Sequence, residues 1–318
     1  MTEARWNRFC VVGLGNHART KLLPAILANG QQIAGDVSRN PDPDGGVRRF
    51  KTVSQAVAEL PADTAFIVAS PPTLHFAQTI TALEAGRDVI VEKPAFVTEL
   101  EALAAVRAAK ASGALLVEGF MNRHTVTHRL FLDQWAVERP KAAHMVFTIP
   151  SVPEGSFRSS NETGASNLYD IASYALSALI DAGVDIADVQ LDHVDFAGEP
   201  ARERLHMSGL AGDVRFSSVT GVAADYENVM RLERADGSSI SFTPFIYGRP
   251  GPRRMLEDRG GEVVETGIED VNAFEAMLAQ PLSHWRDTAV ERGQRMVDLT
   301  RHLERLGRTL TAFRAAAS

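Results

Sequence analysis

An α/β fold is predicted, with an N-terminal doubly wound parallel sheet followed by an α+β domain whose sheet is mostly antiparallel. Three observations carry this. Short β-rich apolar runs alternate with segments of helical spacing through residues 1–120, the first such junction is a glycine turn, and beyond Trp135 the apolar runs lengthen and alternate with a period of two. The 318 residues, 45% of them apolar, are enough for two packed domains.

In chain order, Phe9 to Val12 reads as a buried strand that ends at Gly13-Leu14-Gly15-Asn16-His17-Ala18. Leu22, Leu23, Ile26 and Leu27 follow at helical spacing, Gly30 closes that helix, and Gln31 to Asp36 is a second strand. The alternation continues with a helix from Ser54 to Leu60, a strand at Ala65 to Ala69, a helix from Thr73 to Ala85 and a strand at Asp88 to Val91. Thr98 and Glu101 have capping-box spacing ahead of a helix that stops at Gly113, and Ala114 to Val117 is one more buried strand. Period-two strands are expected at Ala143 to Ile149, Val189 to Phe196, Val229 to Glu233 and Ile240 to Phe245, with a hairpin turn at Ala235-Asp236-Gly237. A helix from Leu168 to Ile180 interrupts them. The last segment, Trp285 to Phe313, is an amphipathic helix expected to pack back on the first domain, its arginines (among them Arg292 and Arg305) read as a solvated face. The expected domains are 1–120, 121–284 and the terminal helix 285–318.

Charge narrows the function. Lys plus Arg number 33 against 40 acids, a net charge of −7, which is the wrong balance for a protein that neutralises nucleic-acid phosphates. The single thiol, Cys10, excludes an intrachain disulfide and a thiolate metal cluster, and Met1 to Asn7 is polar with only a short apolar run after it. A cytoplasmic protein with no membrane partner is expected.

The glycine run fits G-x-G-x-x-G/A. Gly13 permits the tight turn, Gly15 lets backbone approach a pyrophosphate with Asn16 and His17 at the helix start, and Ala18 lets helix meet strand. Its context, strand before and helix after, separates it from an ordinary glycine turn. Asp36, 21 residues beyond Gly15, lies close to the ~20 expected of an acid that reads the ribose. A nicotinamide dinucleotide, NAD(P), is therefore the expected cofactor. Asp36 would repel a 2′-phosphate, whereas Ser38 and Arg39 could bind one; the electrostatic cost beside a carboxylate favours NAD.

Glu92-Lys93-Pro94 follows the strand Val89 to Val91, so Lys93 emerges at the carboxyl edge where doubly wound sheets bind ligands. Its ammonium could orient a hydroxyl or carbonyl and stabilise negative charge on oxygen. Pro94 restricts the backbone of Lys93.

Five elements in order, the glycine run, Ser70-Pro71-Pro72-Thr73-Leu74-His75, Glu92-Lys93-Pro94, Glu118-Gly119-Phe120-Met121-Asn122-Arg123-His124 and Asp170-Ile171-Ala172-Ser173-Tyr174, resemble the glucose-fructose oxidoreductase/inositol dehydrogenase/MocA family across nearly the whole chain. The resemblance implies a Rossmann domain, a second domain with a large open sheet, and reversible oxidation of a sugar-like secondary alcohol. It implies that Lys93, Asp170 and Tyr174 line the active site, that Ser70, Pro71, His75 and Glu92 lie along the cofactor, and that Arg123, His124 and Arg158 meet substrate. Tyr174 in place of the family's frequent histidine resembles sugar ketoreductases acting on nucleotide-linked deoxysugars, and also glucose-fructose oxidoreductase and dihydrodiol dehydrogenases, while Phe120-Met121 with His124 and His128-Arg129, followed by Phe147-Thr148-Ile149-Pro150, is most similar to the nucleotide-sugar 3-ketoreductase branch. Gly164-Ala165-Ser166 is a reduced form of the family's glycine-rich run, and Ala172 stands where glycine is usual. A homo-oligomer, dimer or tetramer, assembled through the open sheet face is implied as well.

The residue chemistry agrees. On a helix Asp170 and Tyr174 are i and i+4 and share a face. A phenol titrates near ~10, and an adjacent Lys93 ammonium would lower that value, making Tyr174 a proton donor to a ketone. Lys93 itself is the rival for that proton. His124 and His128 share the same spacing but lack the intervening glutamate of H-E-x-x-H, so no metal is expected. The expected activity is hydride transfer between nicotinamide and a sugar ring carbon, reducing a keto group of a nucleotide-linked sugar. The alternatives are a dehydrogenase of a free sugar, polyol or dihydrodiol, and a dinucleotide-sensing regulator without turnover.

Overall fold

The structure is a computed structural model that describes residues 4–38, 47–151, 157, 163–196, 203–223, 225–248 and 250–317. It divides into two compact units, Met1–Met121 with Phe274–Thr300, and Asn122–Ala273 with Arg301–Ser318.

In the first unit six parallel strands lie in the order β3-β2-β1-β4-β5-β6. They are β1 (Arg8–Val12), β2 (Gln32–Val37), β3 (Arg49–Phe50), β4 (Thr64–Val68), β5 (Val89–Glu92) and β6 (Leu116–Gly119). The order reverses direction at β1, which is the doubly wound Rossmann arrangement. Phe9 to Val12, Phe66 to Val68 and Val89 to Val91 are almost wholly buried, as continuous apolar strands covered on both faces must be. The helices α1 (Leu23–Ala28), α2 (Val53–Glu59), α3 (Pro72–Glu84) and α4 (Glu99–Ser112) supply the cover. Ala102, Ala105 and Ala109 of α4 join the core cluster. The capping box forms as expected, with Thr98 accepting from the Glu101 N–H and Glu101 accepting from the Thr98 N–H, and Gly113 ends α4 in the left-handed region. The two-residue strand β3 carries no periodicity of its own. It is held because the Phe50 ring fills the space beside Gly35, where a Cβ would lie 2.6 Å from that ring.

The second unit is built on eight strands in the order β14-β13-β12-β11-β7-β10-β9-β8, all antiparallel except β7 with β10. They are β7 (Ala142–Ile149), β8 (Gln190–Phe196), β9 (Glu203–Ala211), β10 (Val214–Val222), β11 (Glu227–Glu233), β12 (Ser239–Thr243), β13 (Gly251–Arg259) and β14 (Glu262–Asp270). Ala143 and Met145 of β7 point to the buried face, where α5 (Val126–Val137) and α6 (Ser173–Asp181) belong to the same unit. The hairpin expected at Ala235-Asp236-Gly237 joins β11 to β12; Gly237 takes φ +90° and the Asp236 carboxylate accepts the Ser238 N–H. Strands β9, β10, β13 and β14 lie outside the expected set.

Short helices α7 (Ala273–Leu278) and α8 (Leu282–Asp287) precede the long α9 (Ala289–Ala317). The structure divides the terminal helix differently from the expected boundary: residues to Thr300 belong with the first unit and those from Arg301 with the second. Met296 and Val297 enter the first unit's core, while Arg305 donates to the Val189 carbonyl at 2.6 Å and Arg314 to the buried Glu203 at 2.7 Å. Nor are all of its arginines solvated. Arg292 stacks over Trp285 at 4.9 Å and donates to the Leu116 carbonyl at 3.0 Å.

Candidate active site

The carboxyl edge of the parallel sheet gathers most of the expected cofactor residues. Gly13 has φ +92°, and a Cβ there would lie 2.5 Å from the Ser70 nitrogen, so only glycine lets the turn after β1 cross the loop after β4. Gly15 differs. A Cβ on it would meet nothing within 4 Å, so the second glycine borders open space at the start of a helix. That open space beside first-turn N–H groups is what a dinucleotide pyrophosphate requires, and the residues present fit such a group. The helix opens with a wide π turn, Ala18–Leu22, in which the Leu23 N–H reaches back to the Ala18 carbonyl. Such turns concentrate at functional sites.

His17 of the glycine run faces the Glu92 carboxylate across 3.2 Å and meets the Phe274 ring edge-on. Glu92 is buried; burial by itself would raise its pKa, but the charge and hydrogen bond of His17 and the charge of Lys93 outweigh it and hold the carboxyl below its ordinary value. Lys93 follows at the end of β5, and its peptide bond to Pro94 is cis. Ser70 donates to Gln78 at 2.6 Å. His75 is buried, its Nε2 2.7 Å from the Ser70 carbonyl and its Nδ1 3.1 Å from that of Ala95. Burial lowers its pKa.

At the end of β2, Asp36 is fully buried. Its Oδ2 accepts from Ser38 at 2.7 Å and from Arg49 at 3.1 Å, and its Oδ1 has no hydrogen-bond partner among the described residues. The guanidinium of Arg49, supplied by β3, has no signal in the sequence; the pairing of Asp36 with Arg49 in the β2–β3 register brings it there. Arg39 lies outside the described residues.

In the second unit, Asp170 and Tyr174 lie on one helical segment. It is not a uniform α-helix: Leu168–Ala172 is a second π turn, closed by the Ser173 N–H on the Leu168 carbonyl, and α6 continues from Ser173. Asp170 stands half-buried within the wide turn and Tyr174 in the first turn of α6, buried, its ring 5.9 Å from Phe147. Arg123 donates to Asp181 at 2.8 Å, and His128 approaches the same carboxylate at 3.2 Å. Although burial alone would raise the Asp181 pKa, the charge of Arg123 and the neighbouring His128 ring outweigh it and hold the carboxyl well below the usual range. The Arg123 guanidinium is thus anchored by a buried counter-charge that sequence spacing does not reveal. His124 is half-buried beside it in chain order, and Arg158 lies outside the described residues. Among the described residues no group of three or more His, Cys, Asp or Glu could hold a metal ion, and no helix is long and apolar enough to cross a membrane.

Residues 7–120 match the family described as an oxidoreductase family with an NAD-binding Rossmann fold, GFO_IDH_MocA. Over those residues the chain is similar to the Gfo/Idh/MocA oxidoreductases. The chain is 29% identical to a dTDP-3,4-didehydro-2,6-dideoxy-alpha-D-glucose 3-reductase of Streptomyces antibioticus over 261 residues, covering 78% of this chain and 75% of the relative. It is 28% identical to a 1,5-anhydro-D-fructose reductase of Ensifer adhaerens, covering 86% of each. Its fold is that of a 3-ketoreductase from Actinomadura kijaniata solved with NADP and TDP-benzene, with a TM-score of 0.77 at 18% identity over 93% of this chain and 95% of the other. As an oxidoreductase with a nucleotide-binding Rossmann unit, it takes NAD(P) as its cofactor.

Proposed function

We propose that this oxidoreductase reduces a keto group on a ring carbon of a nucleotide-linked sugar, adding a hydride to carbon and a proton to oxygen to give the secondary alcohol. One observation carries the reading: a dinucleotide-shaped turn, open at Gly15, lies on the same sheet edge as Lys93. The identity to a dTDP-sugar 3-reductase over 78% of this chain supports the substrate class.

The nicotinamide, when bound, carries the hydride. The protein's own groups do the rest. The Lys93 ammonium hydrogen-bonds the carbonyl oxygen and stabilises its growing negative charge, the Tyr174 phenol delivers the proton to that oxygen, and Asp170 orients a neighbouring hydroxyl. Gly13, Gly15, Asn16, His17 and Ala18 cradle the pyrophosphate, with Ser70, Pro71, His75 and Glu92 shaping the floor behind it; Arg123 and His124 are assigned to substrate. Between the two dinucleotides we favour NAD, because a 2′-phosphate at the end of β2 would meet the Asp36 carboxylate, whose charge Arg49 offsets only in part. We also place the enzyme in the cytoplasm.

The test is to follow reduced-nicotinamide absorbance with a nucleotide-linked 3-ketosugar. The expected result is oxidation of the cofactor by the wild type, with kcat lowered about 10²- to 10⁴-fold in Tyr174→Phe and in Lys93→Met. Turnover that survives both substitutions would overturn the assignment. A free-sugar substrate is the second reading, favoured by 28% identity to an anhydrofructose reductase over 86% of both chains. It predicts cofactor turnover with free ketoses or polyols and none with the nucleotide-linked ketone.

A further inference from the structure

The segment that carries Lys93 is held from three sides by the side chains of Glu118, His75 and Glu101. A lysine ammonium sits on a flexible four-carbon stem, so its position depends on how firmly its backbone is fixed. Immediately after it, Ala95 is fully buried, and its peptide groups are met on both sides. The Glu118 carboxylate, from the penultimate position of β6, accepts the Ala95 N–H at 3.1 Å. His75, from the first turn of α3, places Nδ1 3.1 Å from the Ala95 carbonyl and 3.2 Å from that of Pro94, while its Nε2 is tied to the Ser70 carbonyl. Two residues on, Glu101 accepts the Val97 N–H at 3.2 Å. Gly119 completes the arrangement: a Cβ there would lie 3.3 Å from the Glu92 Cα, so its lack of a side chain lets β6 approach β5 where Glu118 must reach across.

We propose that Glu118, together with His75, is a positioning residue for Lys93, clasping the Pro94–Ala95 peptide groups so that the lysine leaves the sheet edge in one direction. This rests on the role given to Lys93 above. Glu118 works here as a hydrogen-bond acceptor. A glutamine keeps that oxygen and an alanine removes it, so the two substitutions separate the clasp from mere packing.

The experiment compares Glu118→Ala, Glu118→Gln and Lys93→Met in the full chain. It measures kcat, the Kd for NADH by fluorescence titration, and amide hydrogen exchange of the peptide spanning 93–98. In Glu118→Ala, kcat per dinucleotide-binding site falls about 10- to 100-fold. The Kd stays within about threefold of wild type, and the Ala95 amide exchanges about tenfold faster. Glu118→Gln restores both. Should Glu118→Ala fail to bind dinucleotide, His75→Ala carries the same measurement, with faster exchange at 93–98 and lowered kcat expected. The proposal is overturned if the alanine variant keeps wild-type kcat and exchange, or if the glutamine variant is as impaired as the alanine. Full activity in Lys93→Met would instead remove the catalytic role of Lys93 and leave the exchange data to decide whether the clasp exists.

Discussion

His75 shows how a single side chain can be read two ways. Its ring faces three carbonyl oxygens, all acceptors, yet a neutral imidazole has one N–H to donate. Protonation would supply the second, but full burial opposes the charge and lowers the pKa below its ordinary value. The sign of the consequence follows. With the folded-state pKa below the unfolded value of ~6.5, the unfolded chain binds more protons between the two, so stability is lost as pH falls through that window. Urea unfolding at a series of pH values should therefore show a weaker acid-side decline in His75→Gln than in wild type; parallel curves would refute it. The sequence placed His75 beside the cofactor loop but not the carbonyls around it, because Pro94 and Ala95 approach only after β4 and β5 align in register. The same holds for Asp36 with Arg49 and for Arg123 with Asp181: the first member of each pair was legible in the sequence, and its partner comes from another strand or helix.

At the scale of elements, what the sequence disclosed follows how each strand is buried. Strands covered on both faces, such as Val89 to Val91, are unbroken apolar runs and were visible. Of those with one half-exposed face, β7, β8, β11 and β12 were visible by their period-two alternation and the rest were not. In β13, GPRRMLEDR, and β14, EVVETGIED, charged residues are scattered on both sides of the alternation, so no apolar run marks them. Both π turns were likewise silent, since an apolar residue every three to four positions fits either helix type. The capping box was fully legible because Thr98 and Glu101 satisfy each other locally. Its removal by Thr98→Ala should destabilise the protein by about 1 kcal/mol, read as a lowered thermal midpoint with unchanged dinucleotide affinity.

For the molecule as a whole, the eight-stranded sheet poses an assembly question. The alternation that points Ala143 and Met145 inward sends His144, Val146 and Thr148 to the opposite face, with Val219 of β10 and Val229 of β11 beside Val146 in register. Leu210 and Val263, on strands of the same sheet, are exposed. A homo-oligomer covering this face is expected. Sedimentation velocity should give a dimer or tetramer in the wild type and a shift towards monomer in Val146→Asp with Val219→Asp; a wild-type monomer at micromolar concentration would dismiss it. The two π turns, finally, bear on how such a chain can change over time. Each holds one residue more than an α-turn, so a single deletion inside Ala18–Leu22 or Leu168–Ala172 would re-phase what comes before it by about 100° around the axis. The helix body downstream would keep its buried stripe. A lineage could thus re-aim the first turn of either helix by losing one codon, with no repacking of the core behind it.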